Sequence, residues 1–105
     1  MRKILFIAAT HGNERDGVKV MQQLEKELPK EKSGYDWIIG NEKAFAANTR
    51  FTEQDLNRSA PGDINSSIYE VRRAAELIEY GKNFDVVIDL HGTKTDSGIV
   101  TIIPY

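Results

Sequence analysis

Two largely apolar runs, each followed by a histidine, constrain this chain more than any other feature of its sequence. Residues 4–9 are continuously apolar and lead into Thr10 and His11, while residues 84–90 lead directly into His91. Short apolar runs of this kind are typical of strands buried on both faces of a parallel sheet. In open α/β sheets, ligands bind at the carboxyl ends of the strands. We therefore expect the two histidines to lie close together, although they are far apart in the sequence.

The rest of the pattern predicts helices alternating with strands. Apolar residues recur at helical spacing in two segments, and polar or glycine-containing turns separate them from short β-like runs. The predicted elements are helices over residues 17–28 and from 65 or 66 to 80, with Asp16 and Gly81 at their ends, strands over residues 4–9, 37–39, 84–90 and 99–103, and a turn over residues 95–97. This order predicts an α/β layered fold in which helices flank a mixed, largely parallel sheet. We expect one domain over residues 1–105.

Composition excludes several classes of function. The chain has 105 residues and a formal net charge of -2, so it lacks the excess basic charge typical of proteins that bind nucleic acid. It contains no cysteine, which excludes disulfide scaffolds and thiolate metal sites. No run approaches the roughly 20 apolar residues of a membrane span. We expect a cytoplasmic protein that binds neither nucleic acid nor membranes.

A metal site in this chain must use His, Asp or Glu. His11 and Glu14 form an H-x-x-E pair, whose side chains can face one point, and His91 is the only other histidine. Two imidazoles and a carboxylate are the zinc ligands of several peptidases, which leave a fourth position open. The alternative is that both histidines are ordinary loop residues with backbone hydrogen bonds. We favour a zinc site because both follow predicted strands.

Asp89 precedes His91 by two positions. Side chains two residues apart in a strand lie on the same face, so the Asp89 carboxylate can reach the imidazole of His91. Carboxylates of this kind often fix the orientation of a metal-binding histidine. Asp89 can equally cap a backbone amide at the end of the strand. The sequence leaves both interpretations open.

Residues 42–64 are predicted to form a long irregular loop with a functional role. The loop contains Arg50, Asn57 and Arg58 together with apolar residues that indicate ordered packing. The planar guanidinium group of arginine binds carboxylates with two hydrogen bonds. Two arginines in a loop are otherwise typical of a solvated surface. We favour an anion site, because a positive pocket beside a metal ion suits an acidic substrate.

Four motifs, in this order, resemble those of the succinylglutamate desuccinylase/aspartoacylase family of zinc carboxypeptidase-like hydrolases. They are Ala-Thr-His-Gly-Asn-Glu at residues 9–14, Asn-Thr-Arg at 48–50, Asp-Leu-Asn-Arg at 55–58 and Asp-Leu-His at 89–91. The resemblance implies that His11, Glu14 and His91 bind one Zn²⁺ ion. It also implies that Arg50 stabilises the oxyanion, whereas Asn57 and Arg58 bind the substrate's carboxylate. The implied reaction is hydrolysis of the amide bond in a small acidic N-acyl amino acid.

The resemblance also implies a glutamate that moves protons, on a segment well after the third zinc ligand. No glutamate follows His91 in this sequence, and Glu53 is the one upstream glutamate that we keep as a candidate. We therefore expect this chain alone to be inactive or weakly active as a deacylase. The alternative is a non-catalytic module that binds a metal or a carboxylate. We also expect that the predicted strand over residues 99–103 leaves an open sheet edge, through which the chain can self-associate.

Overall fold

A computed structural model describes residues 3–91 and 99–104 of the chain, which form a four-stranded sheet flanked by helices. The strands are β1 (Ile4–Ala8), β2 (Tyr35–Ile39), β3 (Val86–His91) and β4 (Ile99–Pro104). Their order across the sheet is β2-β1-β3-β4, with β1 parallel to both β2 and β3 and with β4 antiparallel to β3. The predicted α/β fold with a mixed, largely parallel sheet is therefore confirmed. The turn predicted over residues 95–97 lies outside the described residues.

Three helices connect and cover the strands. They are α1 (Asp16–Glu27), α2 (Glu42–Ala47) and α3 (Tyr69–Gly81), and short 3₁₀ turns occupy Lys30–Lys32 and Leu56–Arg58. The prediction that Asp16 caps the first helix is wrong, because Asp16 is its first helical residue and the capping position belongs to Arg15. Gly81 is likewise the last residue of α3 and not the residue that follows its end.

The second predicted helix begins later than expected. Ser66 lies in a turn, where its hydroxyl accepts a hydrogen bond from the amide of Ile68 at 3.1 Å. The carboxylate of Asp63 accepts another from the amide of Asn65 at 2.9 Å. These side chains bind the backbone in a non-helical conformation, so the helix starts only at Tyr69.

The loop predicted over residues 42–64 contains a helix that its sequence pattern does not reveal. Asn41 begins α2 by accepting a hydrogen bond from the amide of Ala44, and Asn48 ends it in the left-handed conformation with φ 55°. A helix of six residues is too short to show helical periodicity. The remainder of the segment is irregular apart from its 3₁₀ turn, and Leu56 in that turn is buried.

The core holds the ends of β1 and β3 in place. Leu5, Ile7 and Val87 form a buried cluster on one face of the sheet. Ala8, Ala9 and Val18 form a second cluster, which brings α1 onto the other face. Because β1 and β3 are neighbouring parallel strands packed on both faces, the residues that follow them emerge at the same edge of the sheet.

β4 is the outermost strand on one side of the described sheet. Self-association through this edge stays a prediction. Within residues 3–91 and 99–104, no helix has the length and the apolar character that crossing a bilayer requires.

Candidate metal centre

Two histidines and a glutamate meet at the carboxyl ends of β1 and β3. His11 lies in the turn after β1, Glu14 precedes α1, and His91 is the last residue of β3. One ligand atom from each of these side chains lies within 4.8 Å of the others, and the two imidazole rings are 6.3 Å apart. The turn is tight, because the Glu14 amide donates to the His11 carbonyl at 3.0 Å. The structure thus brings the three predicted ligands to one point.

The His11 imidazole is buried and makes a polar contact through each ring nitrogen. Its Nδ1 lies 2.8 Å from Oε2 of Glu14, and its Nε2 lies 2.9 Å from Oδ1 of Asp55. Histidines that bind metal through one nitrogen usually donate the other N–H to a carboxylate. The donor set of two imidazoles and a carboxylate fits Zn²⁺, and Asp55 is placed to orient the first imidazole.

Asp89 contacts both strand ends. Its Oδ2 lies 3.1 Å from Nε2 of His91, and its Oδ1 accepts a hydrogen bond from the Thr10 hydroxyl at 2.8 Å. Burial raises the pKa of the Asp89 carboxyl, while His91 and the Thr10 hydroxyl oppose this shift. With Nε2 of His91 held by Asp89, Nδ1 is the nitrogen that remains for a metal. Asp89 is thus placed where it can orient the His91 imidazole, and its role as an outer partner of a metal ligand stays a prediction.

Close backbone packing holds the turn that carries His11. A Cβ atom on Gly12 would lie 2.2 Å from the carbonyl carbon of Ala44 in α2, so only glycine fits. The Gly12 amide also donates to the carbonyl oxygen of Arg50 at 3.1 Å. The turn that carries His11 is therefore packed against α2 and against the segment of the predicted anion site.

The predicted anion-binding residues surround Asp55. Nη2 of Arg50 lies 3.9 Å from Oδ2 of Asp55, and the Arg50 side chain is 55% exposed. Asn57 and Arg58 lie in the following 3₁₀ turn, and both are exposed. Asn57 also lines a pocket of about 130 Å³ together with Asp89. Arg50 thus lies beside a carboxylate that contacts His11. Within residues 3–91 and 99–104, the Arg58 side chain forms no hydrogen bond or ion pair with the ligand group.

Two acidic side chains of the predicted loop and of α3 have partners that the sequence did not indicate. Glu53 accepts a hydrogen bond from the Tyr69 amide at 2.7 Å, so its carboxylate caps the start of α3. Glu70 is completely buried and accepts hydrogen bonds from residues 52–54. Burial alone raises the pKa of Glu70, but hydrogen bonds from the Thr52 amide, the Asn41 side chain and other donors lower it to about 2.

Sequence reasoning did not single out Asp55, which contacts His11, or Glu70, which contacts residues 52–54. Asp55 stands in the Asp-Leu-Asn-Arg motif, so the motif itself was a signal that its first residue has a role. Glu70 lies in a helix among other charged residues, and nothing in its local sequence marks it as buried.

The chain resembles known proteins over its whole length. Residues 1–105 match the model of the succinylglutamate desuccinylase/aspartoacylase catalytic domain. The chain is 38% identical to a probable aspartoacylase from Prochlorococcus marinus, with 100% of this chain and 38% of the relative aligned. It is 35% identical to N-acyl-aromatic-L-amino acid amidohydrolase (carboxylate-forming) B from Danio rerio, with 97% of this chain and 38% of that relative aligned. The chain therefore spans well under half the length of these curated relatives.

Solved structures show the same architecture. Murine aminoacylase 3 superposes with a TM-score of 0.63 at 29% identity, covering 84% of this chain and 34% of that protein. A succinylglutamate desuccinylase from Vibrio parahaemolyticus superposes with a TM-score of 0.68 at 21% identity, covering 90% of this chain and 38% of that protein, which shows a shared fold. Since the family model matches every residue, this chain belongs to the succinylglutamate desuccinylase/aspartoacylase family.

Proposed function

We propose that this chain is the metal-binding part of a zinc-dependent hydrolase that cleaves the amide bond of N-acyl amino acids. The observation that carries the proposal is the convergence of His11, Glu14 and His91, whose ligand atoms lie within 4.8 Å of one another. Membership of a family of deacylases supports the reaction class. The chain covers 38% of its first relatives, so the activity of the whole protein is part of the proposal.

Each residue of the site has a separate task in this proposal. A bound zinc ion supplies polarisation of the scissile carbonyl and a lowered pKa for a bound water. His11, Glu14 and His91 hold the ion, while the carboxylates of Asp55 and Asp89 keep the two imidazoles in orientation. These contacts fix the ligands before the substrate arrives.

The arginines and Asn57 bind the substrate. Arg50 lies at the metal-binding turn, where its guanidinium can stabilise negative charge that develops on the carbonyl oxygen. Asn57 and Arg58 offer an amide and a planar guanidinium to the substrate's carboxylate. We propose a small acidic N-acyl amino acid as the substrate, because these groups favour an anion.

We propose that the 105-residue chain alone is a weak catalyst. It contains no glutamate after His91, where the family resemblance places the residue that moves protons. The carboxylate of Glu53 caps α3, because it accepts a hydrogen bond from the Tyr69 amide, and it is therefore not free to act as a general base. A missing general base typically costs about 10²–10⁴-fold in rate.

Zinc titration tests the ligand set directly. We expect about one Zn²⁺ ion per chain in protein dialysed free of metal and titrated calorimetrically with zinc chloride. His91→Ala removes one of three ligands and should abolish binding at equimolar zinc. The matched control is Glu31→Gln, which removes an exposed acidic side chain outside the ligand group. Equal zinc binding by the wild type and by His91→Ala would show that the ligand assignment is wrong.

Binding of N-acetyl-aspartate tests the anion site, with zinc-loaded protein in the calorimeter. Arg50→Gln should weaken binding by roughly 10–150-fold, the range expected for a hydrogen bond to a charged group. Lys82→Gln removes an exposed charge at the end of α3 and should leave binding unchanged. Binding that is unaffected by Arg50→Gln would remove Arg50 from the site.

Hydrolysis separates the deacylase from a non-catalytic module that binds a metal or a carboxylate. The exposed Arg50 beside the ligand group also suits such a module. Incubation with N-acetyl-aspartate and N-succinyl-glutamate should release amino acid slowly but above the level seen with His91→Ala. Binding without any release favours the module, whereas fast release contradicts the need for a further general base.

Location and assembly complete the proposal. We propose a cytoplasmic protein, which the absence of cysteine permits. We also propose that its site takes small molecules and that the chain binds neither nucleic acid nor membranes, in keeping with its net charge of -2. Self-association through the edge of β4 is proposed from the position of that strand at the end of the described sheet.

A further inference from the structure

We infer that Glu70 is a positioning residue of the proposed site: it holds residues 52–54 so that Arg50 and Asp55, on either side, face the metal ligands. The inference rests on the proposed function, because it assigns Glu70 a task in the metal and anion site. Glu70 belongs to α3 and is not a member of the ligand group. Its influence must therefore pass through the segments that it holds.

Glu70 is a completely buried carboxylate that accepts five hydrogen bonds. Three of them come from consecutive backbone amides, which converge on its two oxygens at 2.8, 3.1 and 3.1 Å. The donors are the amides of Thr52, Glu53 and Gln54, the hydroxyl of Thr52 and the side-chain amide of Asn41. A buried charge with this many donors fixes the path of the loop, because a displaced loop would leave the charge unsatisfied.

The loop that Glu70 holds is directly joined to the metal-binding turn at two places. Before it, the carbonyl oxygen of Arg50 accepts a hydrogen bond from the Gly12 amide at 3.1 Å. After it, the carboxylate of Asp55 contacts Nε2 of His11 at 2.9 Å. Moving residues 52–54 would therefore shift a substrate-binding arginine and the partner of a ligand together.

Glu70 also connects the loop to α2. Asn41 donates to Glu70 through its side-chain nitrogen at 2.8 Å, and its side-chain oxygen accepts from the Ala44 amide at 3.1 Å. Ala44 is the residue against which Gly12 packs. Both supports of the metal-binding turn, α2 and the loop, thus depend on one carboxylate.

Zinc affinity of folded protein distinguishes positioning from a purely structural role. Glu70→Gln keeps the size of the side chain, but it removes the charge and places an amide NH₂ donor against backbone N–H donors. We expect it to weaken zinc binding by roughly 10-fold or more at a temperature where circular dichroism shows folded protein, as for partners of metal ligands. Glu76→Gln, on the exposed side of the same helix, should bind zinc like the wild type.

A double-mutant cycle with Asp55→Asn shows whether Glu70 acts through Asp55. Asp55→Asn alone should weaken zinc binding by about 10–100-fold. If Glu70 acts through Asp55, the double variant should bind zinc with nearly the same affinity as whichever single variant binds zinc more weakly. The reason is that the effects of coupled residues are not additive. Independent effects that multiply, or zinc binding by Glu70→Gln within twofold of the wild type, would overturn the inference.

Hydrogen exchange gives a second measurement that needs no metal. In Glu70→Gln, protection of the amides of Thr52, Glu53 and Gln54 should fall more than protection in the middle of α3. If Glu70→Gln does not fold, Thr52→Val replaces it, since it removes only the hydroxyl donor and should weaken zinc binding by a smaller factor. Unchanged exchange or unchanged zinc binding in the folded variant contradicts the inference.

The two proposals can fail separately. A wild-type chain that binds no zinc overturns the proposed function, and the exchange of residues 52–54 then still shows whether Glu70 holds the loop. A wild-type chain that binds zinc, with a Glu70→Gln variant that binds it equally well, overturns the role of Glu70 alone.

Discussion

Gly12→Ala is expected to lower the free energy of unfolding by more than about 4 kcal/mol, a loss that only severe structural conflicts produce. A Cβ atom at this position would lie 2.2 Å from the carbonyl carbon of Ala44 and 2.5 Å from the Phe45 amide nitrogen. Both neighbours are backbone atoms of α2, so no side-chain rotation can relieve the contact. The turn must separate from α2, which displaces His11 as well. Thermal unfolding and zinc titration of the variant measure the two effects.

Gly17→Ala is the matched control for this substitution. A Cβ atom on Gly17 would meet Cβ of Leu90 at 3.3 Å and Cβ of Ala8 at 3.5 Å, which small shifts can accommodate. Alanine also favours a helix over glycine by roughly 1 kcal/mol, and Gly17 lies in α1. We therefore expect Gly17→Ala to change the free energy of unfolding by no more than about 1 kcal/mol. A Gly12→Ala variant with the stability and zinc affinity of Gly17→Ala would contradict the close approach of the turn to α2.

The second large effect is a loss of stability in acid that depends on Glu70. Burial raises the pKa of this carboxyl, but its hydrogen-bond donors lower it from 4.5 to about 2. Since the folded state prefers the charged form, the stabilisation is present above about pH 4.5 and is lost as the pH falls towards 2. The difference between the two pKa values corresponds to about 3 kcal/mol. Urea unfolding between pH 2 and 6 measures it.

Comparison with Glu70→Gln isolates this group from the other carboxylates. The variant has no charge to lose at position 70, so its stability should depend less on pH than that of the wild type. The gap between the two proteins should be largest near pH 6 and should shrink by about 3 kcal/mol on acidification to pH 2. A gap that does not change with pH would show that the pKa of Glu70 is the same in the folded and the unfolded protein.

The strand ends were predictable because their signals are local. The apolar runs before His11 and His91 identify buried strands, and the rule that ligands bind at carboxyl ends places the residues after them at one edge. Glu14 lies close to His11 in sequence, so its position followed from the turn. These local relations explain why the fold and the meeting of the three side chains agree with the sequence interpretation.

The loop and α3 could not be predicted in the same way. Glu70 is buried because residues 52–54 and Asn41 surround it, and no spacing in the sequence encodes that contact. Polar side chains such as Ser66 delay the start of α3 by binding nearby amides. Contacts between distant segments and competition between side chain and backbone both lie beyond patterns of hydrophobicity.

The order of the strands gives the proposed metal site a consequence for folding. β1 and β3 are separated by most of the chain's sequence, so their pairing closes a long loop. Closing a long loop costs the chain more conformational entropy than closing a short one. A ligand that binds only the folded state stabilises it in proportion to the logarithm of its concentration. In the proposed zinc-bound state, His11 and His91 act as a reversible cross-link between the first and third strands. The amount of bound metal then reports whether β1 and β3, the two parallel strands farthest apart in the sequence, are paired.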